Sequence, residues 1–148
     1  MPRGQASYTL NDTIHYNYGV SGGSPINEVM DERLVKITER LNSIMGRNYN
    51  TILMNVYENG KDNIAPHSDK ETDWVKGTGF CTLAFGCERD FLLEEKATNQ
   101  KTRHLHKNGY AIELPYPMNG LFLHSVPTCK TDKCRVSLTF GGIEGLKE

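Results

Sequence analysis

Residues 51–58, Thr-Ile-Leu-Met-Asn-Val-Tyr-Glu, alternate in character, and each face of the resulting strand sets a condition on the fold. Ile52, Met54 and Val56 form an apolar face that has to be covered. Leu53, Asn55 and Tyr57 form the other, where an amide and a phenol are costly to bury unless each finds a hydrogen-bonding partner. Such a strand belongs to a sheet that is braced on one side and faces a polar interior on the other. Residues 80–85, 91–94, 110–114, 121–126 and 134–140 are further strand candidates, and the first two flank Gly86-Cys87-Glu88-Arg89 as a hairpin would. The start of the chain, with Tyr8, Ile14, Tyr16 and Tyr18 among polar neighbours, reads as short strands around an Asn11-Asp12 turn.

The covering element is legible as well. Ser24 followed by Pro25 reads as a helix start, an N-cap and a first-turn proline whose missing N–H costs nothing. Ile26, Val29, Met30, Leu34, Ile37, Leu41, Ile44 and Met45 then recur at helical spacing until Gly46 ends the run. One amphipathic helix over 24–46 and about eight short strands predict an all-β sandwich or barrel braced by that helix. At 148 residues there is room for one core, so a single domain over 1–148 is expected.

Composition narrows the function classes. Hydrophobic residues are 37% and charged residues 24%, and no apolar run is long enough for a membrane-spanning helix or a secretory leader. A cytoplasmic or nuclear protein without a membrane partner is expected, with a monomer as the default state. A net charge of −1 gives no global field to draw the chain to nucleic acid, so such binding has to rest on a local patch. Residues 96–107 supply one, with Lys96, Lys101, Arg103, His104, His106 and Lys107 around the sole sizeable aliphatic, Leu105. A run like this is ordinarily a solvated loop. Cys81, Cys87, Cys129 and Cys134 match neither the spacing of a zinc site nor that of a redox pair, and reduced thiols are expected.

Six polar residues then stand out from the strand pattern. His67 and Asp69, after the Asn59-Gly60 turn and Pro66, share a face in extended backbone, although a His-x-Asp pair arises by chance in roughly one chain in four of this composition. His124 interrupts an apolar strand, a setting where histidine is more often a hydrogen-bonded core residue than a ligand. Arg135 shares a face with Ser137 and Thr139, opposite Val136, Leu138 and Phe140, and an inward arginine needs an anion. With Asn55 and Tyr57, each is poorly explained alone. Converging, they offer two imidazoles and a carboxylate for a metal ion with open positions, beside a guanidinium able to clamp a carboxylate through two parallel hydrogen bonds. That is the facial triad of the non-haem iron(II) oxygenases. A zinc hydrolase would leave Arg135 and the Asn55/Tyr57 pair without a purpose.

On these residues the chain resembles the AlkB family of 2-oxoglutarate- and iron(II)-dependent dioxygenases, in particular its nucleic-acid demethylases. The resemblance runs in order from Pro2-Arg3 and Gln5-Ala6-Ser7-Tyr8, through Asn55-x-Tyr57, His67-x-Asp69-x-Glu71, Leu83-Ala84-Phe85-Gly86 and Arg89-Asp90-Phe91. It continues through Gly109, Pro117, Asn119 and His124-Ser125-Val126-Pro127 to Arg135-Val136-Ser137-Leu138-Thr139-Phe140. It implies a mainly β fold with α, a double-stranded β-helix (jelly-roll) core over 51–141 braced by the 24–46 helix, with nucleotide-recognition strands in 1–23. It further implies that His67, Asp69 and His124 bind iron(II), that Arg135 pairs with the distal carboxylate of 2-oxoglutarate, and that Asn55 and Tyr57 hydrogen-bond to the same cosubstrate. Glu71 would contact the target base, Tyr18 would stack on it, and Tyr8 and Arg3 would lie near the strand. The implied activity is oxidative demethylation of N-alkylated bases, of the 1-methyladenine or 3-methylcytosine type, in single-stranded DNA or RNA. A base reached in this way has to be outside a duplex stack, and the basic segment 96–107 becomes a phosphate contact.

The sequence departs from the family at one place. A second arginine is expected after Leu-Thr-Phe, where this chain has Gly141. That arginine helps hold the cosubstrate and orient the metal aspartate, so weaker 2-oxoglutarate binding, an altered pose or reduced activity is implied. Little precedes the core that could form a lid, as in a minimal family member or a domain cut from a longer chain, and a short lid suits single strands. Two alternatives follow: a 2-oxoglutarate-dependent hydroxylase of a protein or small molecule, and a catalytically silent nucleic-acid-binding module.

Overall fold

The computed structural model describes residues 4–14, 27–69 and 74–143. The chain passes through β1 (Gly4–Thr9), β2 (Glu28–Val29), α1 (Glu32–Met45), β3 (Thr51–Tyr57), β4 (Ile64–His67), β5 (Phe80–Gly86) and β6 (Arg89–Glu95). It continues with β7 (Lys101–His106), β8 (Ala111–Leu114), α2 (Met118–Leu121), β9 (Phe122–Val126) and β10 (Arg135–Gly141). One sheet has the order β2-β1-β3-β10-β5-β8 and the other β4-β9-β6-β7. From β3 to β6 the chain switches sheets at every connection, the winding of a jelly roll, as the resemblance implied.

The two faces of β3 do what their composition demands. Ile52 and Met54 pack with Leu41, Tyr49, Cys81, Leu138 and Phe140 beneath α1, whose Leu34, Val35, Ile37 and Met45 close the layer. On the opposite face Leu53 and Tyr57 join Phe80, Phe91, Leu93, Leu114 and Val126 between the sheets. The strand β10 lies between β3 and β5 and pairs antiparallel with both, so Arg135 falls opposite Tyr57 and Gly86.

Four sequence expectations are corrected. The helix begins at Glu32, because Asp31 is its N-cap and accepts a 2.9 Å hydrogen bond from the Leu34 N–H, while Glu28–Val29 is already committed to β1 as a strand. Ser24 and Pro25 lie outside the described residues. The C-terminal limit is as expected, with Gly46 at φ 64°. Second, 80–85 and 91–94 do not form a hairpin: β5 and β6 belong to different sheets, and Gly86, at φ 93°, turns the chain from one to the other. A Cβ at Gly86 would meet the Cys134 carbonyl oxygen at 2.6 Å. Third, the basic segment is not all loop. Residues 101–106 form the edge strand β7, which pairs only with β6, and its alternation is masked because both faces are exposed until His106. Fourth, Leu121 closes the short helix α2, and the strand starts at Phe122.

Phe140 has no exposed surface, whereas Val29, part of the predicted helical stripe, is 53% exposed. Phe140→Ala is expected to lower unfolding free energy by about 3–5 kcal/mol in urea titrations, and Val29→Ala by less than about 0.5 kcal/mol.

Candidate metal and anion site

Antiparallel pairing of β4 with β9 sets His67 directly opposite His124, with ring centroids 4.2 Å apart. Asp69 follows just beyond β4, and its Oδ1 lies 3.1 Å from His67 Nε2 and 3.4 Å from His124 Nε2. One ligand atom from each of the three falls within 4.8 Å of the others, the single such group among the described residues.

The backbone around Asp69 is held by side chains distant in sequence. Asn119, in α2, accepts the Asp69 N–H at 2.8 Å and donates its own amide to the Asp69 carbonyl at 2.9 Å. Ser68 donates to the Phe122 carbonyl at 2.9 Å. His67 Nδ1 lies 2.8 Å from the Ala65 carbonyl, which can only accept, so Nδ1 carries a proton and Nε2 is the ring nitrogen turned to Asp69. Burial pushes the Asp69 carboxyl up, but hydrogen bonds and charge from His124 and His67 outweigh it and hold the group well below the usual carboxylate range. An anionic oxygen beside two imidazole nitrogens, with the outer nitrogen of His67 held by a backbone carbonyl, is a donor set suited to a divalent metal such as iron(II).

The same cavity, about 250 Å³, is lined by Asn55, Tyr57, His67, Asp69, His124 and Arg135, with Gln5, Phe80, Phe91, Thr82, Ser137 and Thr139 among its other walls. Arg135 is 1% exposed. Its guanidinium lies 5.6 Å from the Tyr57 ring centroid, and Arg89 lies 5.4 Å from the same ring. Arg89 donates to the Asp62 and Pro127 carbonyls and leaves only its Nε without a partner, whereas both Nε and Nη1 of Arg135 are buried without one. Burial, aided by the Arg89 charge, pushes Arg135 below its ordinary pKa. Unmet donors on a buried cation are costly, and an anion entering the cavity would satisfy them.

A family model described as the 2OG-Fe(II) oxygenase superfamily matches residues 4–140. The chain belongs to this superfamily. The chain is 30% identical over 149 residues to the DNA oxidative demethylase ALKBH2 of Bos taurus, covering 95% of this chain and 52% of that protein. For the ALKBH2 of Homo sapiens the values are 28%, 95% and 56%. The chain thus spans about half the length of these curated relatives. The solved structure of OsALKBH1 matches with a TM-score of 0.59 at 16% identity, over 82% of this chain and 68% of that one, a likeness of fold. The AlkB resemblance is borne out, and the superfamily's cofactors, iron(II) and 2-oxoglutarate, fit a metal-ligand cluster that shares its cavity with a buried arginine.

Among the expected substrate contacts of this oxygenase-family chain, Tyr8 is not brought to the cavity. It sits on the other face of β1, opposite Ile52, and packs against the helix-side core, because Gln5 and Ser7 take the inward positions of that strand. Arg3, Tyr18 and Glu71 lie outside the described residues. In the basic segment, Lys101 pairs with Glu94 at 3.6 Å, Arg103 with Asp90 at 3.5 Å, and Lys107 lies over the Tyr110 ring. Two of its cations are therefore already paired with carboxylates. At Gly141 a Cβ would stand 3.3 Å from the Thr51 hydroxyl and 3.7 Å from the Trp74 indole nitrogen, so neighbours occupy the room a side chain would need.

Two residues escaped the sequence reading. Asn119 was visible only as part of the resemblance, and nothing local marks it as the partner of Asp69. His106 was absorbed into a charge run, yet it is 1% exposed. Burial pulls its pKa from 6.5 down to about 4.

Asn119→Ala is expected to weaken metal binding by roughly 10–100-fold in a competition titration. For His106 the folded state holds fewer protons than the unfolded state between pH 6.5 and about 4. Its contribution to stability is therefore complete above 6.5 and falls away on acidification through that window, by on the order of 3 kcal/mol. Unfolding curves across the range should show a steeper acid loss for the native chain than for His106→Leu.

Proposed function

We propose that the chain is an iron(II)- and 2-oxoglutarate-dependent enzyme that oxidatively demethylates N-alkylated bases, of the 1-methyladenine or 3-methylcytosine type, in single-stranded DNA or RNA, and that it acts as a monomer. The observation that carries this reading is a buried arginine with unmet donors in one cavity with the His67, Asp69 and His124 cluster. The similarity to proteins named DNA oxidative demethylase supports the substrate class.

In this reading His67, Asp69 and His124 hold the metal, Arg135 takes the distal carboxylate of 2-oxoglutarate, and Asn55 and Tyr57 hydrogen-bond to it. Bound together, the metal and cosubstrate supply dioxygen chemistry that turns 2-oxoglutarate into succinate and carbon dioxide while one oxygen atom enters a substrate C–H bond. On an N-methyl group the product is an N-hydroxymethyl base, which breaks its C–N bond to release formaldehyde and the unmethylated base. The apolar walls Phe80 and Phe91 keep the reacting centre from bulk water. Glu71 and Tyr18 receive the extruded base and Arg3 lies near the strand, roles carried by the family resemblance.

The test is release of succinate and formaldehyde by anaerobically iron-loaded protein given oxygen, 2-oxoglutarate and single strands carrying 1-methyladenine or 3-methylcytosine. Both products should appear with the methylated strand and fall at least 100-fold in His67→Ala. Succinate without formaldehyde would assign the chain to hydroxylation of another substrate. Oligonucleotide binding with neither product would make it a binding module.

A further inference from the structure

Arg135 makes one side-chain hydrogen bond that the proposed reaction leaves unexplained. Its Nη2 donates to His106 Nδ1 at 3.1 Å, a buried contact between β10 and the last residue of β7, which lie in different sheets. The other ring nitrogen, Nε2, lies 2.7 Å from the Tyr110 carbonyl. These two contacts determine the tautomer without further assumption. A carbonyl only accepts, so Nε2 carries the proton; a guanidinium only donates, so Nδ1 is bare. The imidazole is thus a neutral acceptor whose orientation is set by the backbone on one side and by packing against Phe91 on the other, at a centroid distance of 6.2 Å.

The consequence lies in the geometry of the guanidinium. Arginine has two edges able to grip a carboxylate with a pair of parallel N–H groups, one combining Nε with Nη2 and the other Nη1 with Nη2, and each uses a different Nη2 hydrogen. A hydrogen bond to His106 consumes one of them. A single complete edge then remains, and the orphaned Nε and Nη1 mean that no group among the described residues competes for it.

We infer that His106 is a positioning residue for the anion site: by accepting one Nη2 hydrogen of Arg135 it selects the edge of the guanidinium offered to the cavity and holds it in register for a carboxylate. Resting on the cosubstrate assignment above, this makes 2-oxoglutarate affinity depend on a residue that never touches 2-oxoglutarate. A neutral ring is suited to the task, since it steers the arginine without cancelling its charge as an aspartate or glutamate would. Placed at the end of the edge strand, it also ties the anion site on β10 to the second sheet.

The experiment compares His106→Leu, His106→Asn and His106→Gln. Asparagine can put an amide oxygen where Nδ1 stood, glutamine places its oxygen farther out near the Nε2 position, and leucine has no acceptor. Each protein is loaded with manganese(II), which does not turn over, and titrated calorimetrically with 2-oxoglutarate, after manganese affinity alone has been measured. The expected result is at least 10-fold weaker 2-oxoglutarate binding for His106→Leu and His106→Gln, recovery to within about threefold of the native value for His106→Asn, and manganese affinity unchanged in all three. If His106→Leu does not fold, the asparagine and glutamine pair decides. Equal 2-oxoglutarate affinity in native, leucine and glutamine variants, or an asparagine variant no better than glutamine, would overturn the inference. Arg135→Met separates the two levels: if it binds 2-oxoglutarate as the native chain does, or if the native chain does not bind it, the cosubstrate assignment itself fails and the role of His106 falls with it.

Discussion

A guanidinium sealed between two sheets, with no carboxylate within ion-pair reach among the described residues, is the constraint on which the interior depends. Burying such a charge costs several kcal/mol unless its surroundings answer it. Here the Tyr57 ring and His106 answer part of it, and two donors stay unmet. Arg135 is the first residue of β10, one of the two central strands of the larger sheet, where it is paired with Tyr57 on one side and Gly86 on the other. The cavity is consequently built as a receptor for negative charge at one of its walls, while the histidines and Asp69 build a receptor for positive charge at another.

The metal-ligand cluster depends on a different physical device. His67 and His124 are brought together by register, which a one-residue slip of either strand would undo by sending its ring to the opposite face. Asp69 stands beyond the strand, where pairing no longer controls it, and there the two-pronged amide of Asn119 substitutes for ladder hydrogen bonds. The geometry of the candidate metal cluster therefore rests on three elements, β4, β9 and α2, the last acting through one amide.

Gly141 joins these parts. The resemblance expected an arginine at this position, but the space is lined by Thr51 and Trp74. Trp74 packs edge-on against Phe80 at 5.6 Å, and Phe80 lies 5.2 Å from His124. Aromatic packing thus fills the region and connects it to His124 of the candidate metal cluster.

Much of this was legible in the sequence because it is periodic. Alternation in 51–58 and 134–140 separated the helix-facing residues from Asn55, Tyr57 and Arg135, and the His67-x-Asp69 spacing put two donors on one face. Periodicity fails where one segment can be read two ways, as with the helix start, where the Asp31 cap and the β1–β2 pairing outweighed Ser24-Pro25. It also fails where burial comes from a partner far along the chain. His106 sits in a charged edge strand whose neighbours are exposed, and Asn119 in a one-turn helix, so neither has a local pattern to betray it. Local sequence determined which residue types face inward on each strand, since side-chain direction follows from backbone geometry alone. Tertiary structure decided which of them meet, because the histidine–arginine contact, the asparagine clamp and the pairing of the two metal-facing histidines are all set by how the two sheets close on one another.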